Sequence, residues 1–383
     1  MINYEEIMVK RIQEVPPSGI RKFFDIANEM GDAISLGVGE PDFDTPWHIR
    51  EEAIYTLEKG KTIYTANAGL LELRKEICAY MKRRFNLTYS PVKQSLVTVG
   101  GSEGIDLALR ILLEPGDEVL IPEPCYVAYA PCVIFTGATP IAIPTKAENK
   151  FRLTPEELNT YITPKTKVLI LPYPNNPTGA IMEKEDLEKI AAVLKETNII
   201  TISDEIYAEL TYGKEHVSIA SIPGMYERTI VLSGFSKAFA MTGWRLGYAL
   251  GPEPLIGLMT KMHQFAIMCA PTTSQYAAIE AMKNGDEDVK EMRQSYDQRR
   301  RFMLEHFAKM GLDCFEPEGA FYVFPSIQKT GLTSEQFCTQ LLKEEKVAVV
   351  PGSAFGTSGE GFIRCSYAYS IEELREAFTR IAR

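Results

Sequence analysis

The side chains best suited to covalent chemistry lie in the run 233–247, Ser-Gly-Phe-Ser-Lys-Ala-Phe-Ala-Met-Thr-Gly-Trp-Arg-Leu-Gly. Thr229-Ile-Val-Leu, just before it, is a short β-branched apolar run and predicts a buried strand, which leaves Lys237 on the loop at the strand's end. Phe235, Ala238 and Phe239 flank the lysine. Apolar surroundings disfavour an ammonium, lower its pKa from about 10.4, and make the amine a nucleophile toward a carbonyl. A lysine at a loop tip with its head in water fits the same segment. Arg245, between Trp244 and Leu246, is a second cation in apolar company. Two neighbouring cations call for an anion between them.

Comparable residues follow other predicted strands. Leu96-Val-Thr-Val runs into Gly100-Gly101-Ser102-Glu103-Gly104 and a helix with Ile105, Ala108, Leu109 and Leu112 on one face. A strand, a glycine-rich turn and a helix start can offer free backbone N–H groups to an anion, or can be a structural turn with a serine cap. Tyr126 follows 118–121, Asn176 follows 167–171 ahead of a proline whose peptide bond can be cis, and Asp204, Glu205 and Tyr207 follow 199–203. Gly37 and Gly39 open a Gly/Pro-rich loop, either for close backbone approach or for turn geometry alone. A dinucleotide fingerprint does not fit there, because the third glycine and the following helix are missing.

These positions need a scaffold that gathers strand ends. From 48 to 285 short apolar strands alternate with helical patterns, which predicts an α/β domain with a mostly parallel sheet covered on both faces, its ligands beyond the carboxyl ends of the strands. One helix is opened by a Thr154–Glu157 capping box and another carries Leu187, Ile190, Ala191 and Leu194 on one face. Residues 286–383 change texture. A charged helix over 287–310, an aromatic strand at 319–325, an apolar strand at 347–352 and helices capped at Thr333 and Ser370 predict a small α+β domain, joined by residues 1–47. Helical patterns over 7–12 and 20–30 flank Pro16-Pro17-Ser18-Gly19.

The bounds agree with such a scaffold. At 383 residues the chain is long enough for two domains, and a net charge of −10 argues against a nucleic-acid surface. Seven scattered cysteines without a C-x-x-C pair read as core thiols of a reducing compartment, and His48, His216, His263 and His306 are too scattered for a metal site. With no signal-like N-terminus and no run of eighteen apolar residues, the expected location is the cytoplasm, away from membranes.

Together the strand ends supply an anion site, an aromatic plate, a carboxylate, a phenol, an amide and an amine, which match the phosphate, ring, ring nitrogen, phenolate oxygen and aldehyde of pyridoxal 5′-phosphate. The runs 236–247, Asn175-Asn176-Pro177-Thr178-Gly179, Ser203-Asp204-Glu205-Ile206-Tyr207 and Gly37-Val-Gly39-Glu-Pro-Asp-Phe-Asp-Thr-Pro46 resemble those of class I aminotransferases of pyridoxal-phosphate fold type I. The texture is nearest to prokaryotic enzymes grouped with thermophilic aspartate, archaeal aromatic and N-acetyl-diaminopimelate aminotransferases, and the likeness covers essentially the whole chain.

The resemblance implies a role for each position. Lys237 forms the internal aldimine and shuttles the substrate proton. Asp204 faces the pyridine nitrogen, where a carboxylate about 4 Å away gains roughly 4 kcal/mol at an effective dielectric near 20. Tyr207 and Asn176 bond the phenolate oxygen and Tyr126 stacks on the ring. Gly101, Ser102, Ser236 and Arg245 hold the phosphate, and Arg364, Asn176 and the Gly39 backbone clamp the substrate carboxylate. Tyr64 reaches the neighbouring subunit's phosphate, which implies a homodimer with shared sites. One departure concerns specificity: Ser102 stands where the thermophilic aspartate enzyme has a lysine suited to a second carboxylate. The segment at 17–24 resembles the archaeal aromatic enzyme's entrance, although Arg21 can still meet an acid. The expected reaction is transamination of an aromatic or apolar L-amino acid with a 2-oxo acid such as 2-oxoglutarate, with acidic or N-acetyl-diaminopimelate donors next. A C–S β-lyase is the nearest rival, although such lyases usually carry histidine where Tyr207 stands. A regulatory binding module is a rival of another class and would need a basic helix-turn-helix extension.

Overall fold

The structure, a computed structural model, describes residues 2–17, 19–20 and 30–383. The N-terminal part gives two short helices, Tyr4–Ile7 and Lys10–Gln13, that bury none of their residues. The pattern expected over 20–30, Arg21 included, lies largely outside the described residues.

The chain then enters β1 (Ile34–Ser35), which pairs in parallel with β10 (Val347–Ala348). The main sheet has seven strands: β2 (Ser95–Thr98), β3 (Glu118–Glu123), β4 (Thr139–Pro144), β5 (Thr166–Leu171), β6 (Ile200–Asp204), β7 (Thr229–Gly234) and β8 (Gly247–Leu250). Their order is β2-β8-β7-β6-β5-β3-β4. β8 runs antiparallel to both neighbours and every other pairing is parallel. Every residue of β2, β7 and β8 is buried, which is why these strands read as continuous apolar runs without alternation. Successive side chains go to opposite faces. Ile230 and Leu232 join Ile105, Ala108 and Met259 in one core, while Val231 joins Leu73, Ile77 and Ala278 in another. Helices therefore cover both faces of the sheet.

A further core lies beyond it. The helix Asp286–Lys309 packs Tyr296, Met303 and Phe307 against Tyr322, Val347 and Phe378. Here β9 (Tyr322–Val323), β11 (Val350–Pro351) and β12 (Ile363–Ser366) form an antiparallel sheet in the order β11-β12-β9. The capping boxes at Thr154–Glu157, Thr333–Gln336 and Ser370–Glu373 are formed, and Leu187, Ile190, Ala191 and Leu194 are buried.

Several expectations are corrected. β4 has no counterpart among the predicted strands, because this edge strand begins Thr-Pro, ends in Pro and is only partly buried. The run 347–352 divides into β10 and β11, which belong to different sheets, and the aromatic stretch 319–325 contributes only two strand residues. The helix after β2 starts at Gly100, with Val99 as its N-cap and no side-chain cap, so Ser102 is not a capping serine. Glu103 instead returns to accept from the Val99 N–H at 2.5 Å.

Candidate active site

Parallel strands bring their carboxyl ends to one edge. In spatial order that edge presents the turn at 99–102 after β2, Ser236 and Lys237 after β7, Asp204 and Tyr207 after β6, Asn176 after β5 and Tyr126 after β3. The antiparallel β8 begins at the same edge, so Arg245 joins them from the other end of its strand. Close packing is possible because residue 247 is glycine: a Cβ there would stand 2.7 Å from the Gly100 carbonyl carbon and 2.8 Å from the Gly101 nitrogen.

A cavity of about 900 Å³ opens on this edge. Gly39, Gly101, Ser102, Tyr126, Asn176, Asp204, Tyr207, Ser236, Lys237, Arg245 and Arg364 all line it. Tyr64 does not: it is 77% exposed in the single chain, beside an equally exposed Ile63. Glu205 points away, held by Ser203, Ser218 and His216. A second cavity of about 370 Å³ lies near Arg84 and Arg293, but Arg84 there is paired with Glu209, and Lys214 with Glu183 and Glu318.

The Lys237 Nζ donates to the Gly39 carbonyl at 2.5 Å. Burial lowers its pKa to about 8; Glu40 opposes the shift, and Arg364 and Arg245 add to it. Asp204 is 9% exposed, with Tyr129 donating to its Oδ2 at 2.7 Å and the Ile206 N–H to its Oδ1 at 3.2 Å. Burial pushes this carboxyl up, and the two donors hold it back. Burial also pushes up the Tyr207 phenol, whose oxygen lies 2.9 Å from that of Tyr322. Arg245 has a left-handed backbone (φ 52°), unusual for a residue other than glycine, and spends one N–H on the Thr242 carbonyl at 2.9 Å while its exposed guanidinium faces the cavity.

Arg364, on β12, is 2% exposed. It donates to Asn176 Oδ1 at 2.8 Å and to the Gly37 carbonyl at 2.5 Å, and its Nε has no partner. Its guanidinium lies over the Tyr322 ring at 4.4 Å and the Phe355 ring at 4.9 Å. The bond to Asn176 crosses from β12 to the main-sheet edge.

A buried carboxylate, an activated amine and free cationic groups around one cavity leave the family to be decided by comparison. The family model for aminotransferase class I and II matches residues 31–381. The chain belongs to this family. It is 49% identical to the aspartate aminotransferase of Pyrococcus abyssi over 98% of this chain and 97% of the relative. It is 47% identical to aromatic-amino-acid aminotransferase 2 of Thermococcus litoralis over 97% of each. Among solved structures it is similar to the Thermus thermophilus aspartate aminotransferase with maleate, with a TM-score of 0.94 and 38% identity over 98% of this chain and 99% of that one.

The protein is thus an aminotransferase, and the cofactor of the class is pyridoxal 5′-phosphate. The cavity fits that group: it offers an amine whose pKa is already lowered, a largely buried carboxyl, and an arginine with most of its donors free. Among the described residues no His/Cys/Asp/Glu group could hold a metal ion, and no helix is long and apolar enough to cross a membrane.

Four residues that matter here escaped the sequence reading. Tyr129 follows Tyr126 by three positions and holds Asp204; Tyr322 and Phe355 enclose Arg364; Glu40 sits in the glycine-rich loop after Gly39. Only the aromatic texture of 319–325 signalled one of them.

Proposed function

We propose that this aminotransferase acts on L-amino acids with aromatic or apolar side chains, using a 2-oxo acid such as 2-oxoglutarate as acceptor. What carries this reading is the cavity lining: Ile20, Val38, Val127 and Tyr126 border the space, and Glu40 adds a negative charge unfavourable to a second substrate carboxylate. Ser102 supplies no cation there. Pyridoxal 5′-phosphate, when bound, supplies the electron sink that makes the substrate Cα–H acidic. Lys237 would provide the amine that holds it and the base that moves the substrate's Cα proton. Asp204 would face the ring nitrogen, Tyr207 and Asn176 the ring oxygen, and Tyr126 the ring face. Gly101, Ser102, Ser236 and Arg245 hold the phosphate. Arg364, with Asn176 and Gly39, orients the substrate carboxylate through a rigid fork that a lysine could not reproduce.

The same reading divides the chain into a cofactor domain, 48–285, and a small domain from 1–47 and 286–383, supported by a core around Tyr296, Tyr322 and Leu374 to which the 48–285 part adds Tyr207, Leu210, Tyr212 and Ala240. It makes the enzyme a homodimer in which Tyr64 serves the neighbouring subunit's phosphate site. The exposure of Tyr64, Ile63, Ile7 and Ile12 supports such an interface. All seven cysteines are free, which supports work in the cytoplasm.

The test is a screen of the twenty amino acids and N-acetyl-diaminopimelate against 2-oxoglutarate and pyruvate, with a cysteine conjugate assayed in the absence of any 2-oxo acid. Phenylalanine and tyrosine should exceed aspartate in kcat/KM by at least about tenfold, the worth of a few buried methylenes against an unpaired charge. Equal or better turnover of aspartate or of N-acetyl-diaminopimelate would assign the acidic or acylated donor instead. Sustained release of pyruvate from a cysteine conjugate without any 2-oxo acid would assign the lyase.

A second expected result concerns pH. An amine attacks an aldehyde only when unprotonated, so capture of pyridoxal 5′-phosphate by the apoprotein should accelerate up to about pH 8, the lowered Lys237 pKa, and then level off. An ordinary lysine would keep gaining until about pH 10.4. Visible absorbance against pH after mixing reports which holds.

A further inference from the structure

Tyr322 has no part in holding cofactor or substrate in the assignments above, yet it touches Tyr207, Arg364 and the Gly39 backbone. It is 0% exposed, its hydroxyl lies 2.9 Å from that of Tyr207, and its ring lies beneath the Arg364 guanidinium. Register explains the second contact. Tyr322 pairs with Ser366 across β9 and β12, and residues two apart on a strand share a face, so Arg364 is its diagonal neighbour. The third contact requires a glycine: a Cβ on Gly39 would stand 2.7 Å from the Tyr322 oxygen, and the Gly39 carbonyl is the one that Lys237 bonds. Besides Tyr207, the ionisable groups acting on Tyr322 are Arg364, Tyr126 and Glu40.

A phenol has one proton to give and two lone pairs with which to accept. Either oxygen of the Tyr207–Tyr322 pair can be the donor. If Tyr207 is to give its proton to the cofactor's ring oxygen, it can only receive from its neighbour, and the direction is then set as Tyr322 to Tyr207 to the ring oxygen. Burial raises the pKa of both phenols, so both protons are present at neutral pH. Hydrogen bonds in such a row polarise and strengthen one another in a dry interior.

We propose that Tyr322 is a positioning residue that fixes the direction of the Tyr207 proton toward the cofactor's ring oxygen, while its ring supports Arg364. The inference rests on the placement of Tyr207 at that oxygen. A stronger donation stabilises negative charge on the ring oxygen and thereby disfavours the proton on the Lys237–cofactor linkage, whose gain and loss change the colour of the bound cofactor.

The experiment is a double-mutant cycle on the holoenzyme, read as the pH of that colour change. Tyr207→Phe should raise the transition. Tyr322→Phe keeps the ring beneath Arg364, so KM should hold within about twofold, while the transition rises by about half a unit, the worth of one modest hydrogen bond. In the Tyr207→Phe background the Tyr322→Phe change should move it no further. An equal shift in both backgrounds, or none in the parent, overturns the proposal. If Tyr207→Phe alone leaves the transition unmoved, the placement of Tyr207 fails and the inference falls with it. A melting temperature close to the parent's for each variant shows that the comparison concerns folded protein.

Discussion

Lys237→Ala should leave no more than about one part in 10⁴ of the parent's turnover with any amino acid. A positioned base contributes about 10²–10⁴-fold, and loss of the amine that attaches the cofactor adds to it. The fold should tolerate the change. The ammonium is disfavoured in its buried site, and the Gly39 carbonyl, its one hydrogen-bond acceptor, belongs to a loop that also approaches Tyr322. Pyridoxal 5′-phosphate should still bind, through Arg245 and the turn at 101–102, without the visible band that requires a lysine linkage. Added small amines should restore a measurable fraction of turnover, because they supply the missing base. Turnover undiminished by the substitution would remove Lys237 from the chemistry and the mechanism with it.

Arg364→Ala should lower kcat/KM for every amino acid by about 10²–10⁴-fold, since one or two charge-assisted hydrogen bonds at about 1.5–3 kcal/mol each are lost. The diagnostic point is uniformity: phenylalanine, alanine and aspartate all carry the α-carboxylate and should all fall together, whereas a side-chain pocket would sort them. Arg364→Lys should recover little. Its single ammonium cannot reach both Asn176 Oδ1 and the Gly37 carbonyl, the two acceptors the fork now spans. The ratio of kcat/KM values across those three substrates, with thermal melts to confirm folding, checks this. A loss confined to one substrate class would make Arg364 a specificity residue.

The sequence was most legible where local chemistry and tertiary environment agree. Strands β2, β7 and β8 stand out because full burial leaves them no polar alternation, and the capped helices because a short side chain and an acidic or amide partner three residues on have one structural use. The site followed from the strand ends, since a parallel sheet can present only one edge to a ligand. What escaped was set by contacts between distant segments. Tyr129 earns its place through Asp204, 75 positions away, and Tyr322 through Tyr207, 115 positions away. No local pattern distinguishes such a tyrosine from a core aromatic. β4 was hidden by its prolines, which an edge strand tolerates and a central strand does not.

The reversal between β7 and β8 has a consequence for how this site can change. Gly234 pairs with Gly247, so Lys237 and Arg245 stand on one tight excursion of chain that leaves the sheet and returns to it at the same rim. Their separation is therefore not an independent variable. A residue inserted anywhere between them would displace both, and a compensating adjustment elsewhere in the fold could restore at most one. Carboxylate, amide and phenol come on separate strands and can drift one at a time, but the amine and its neighbouring guanidinium behave as one heritable unit. Any laboratory or natural lineage that reshapes this cavity is expected to keep the spacing of that unit fixed and to vary everything around it.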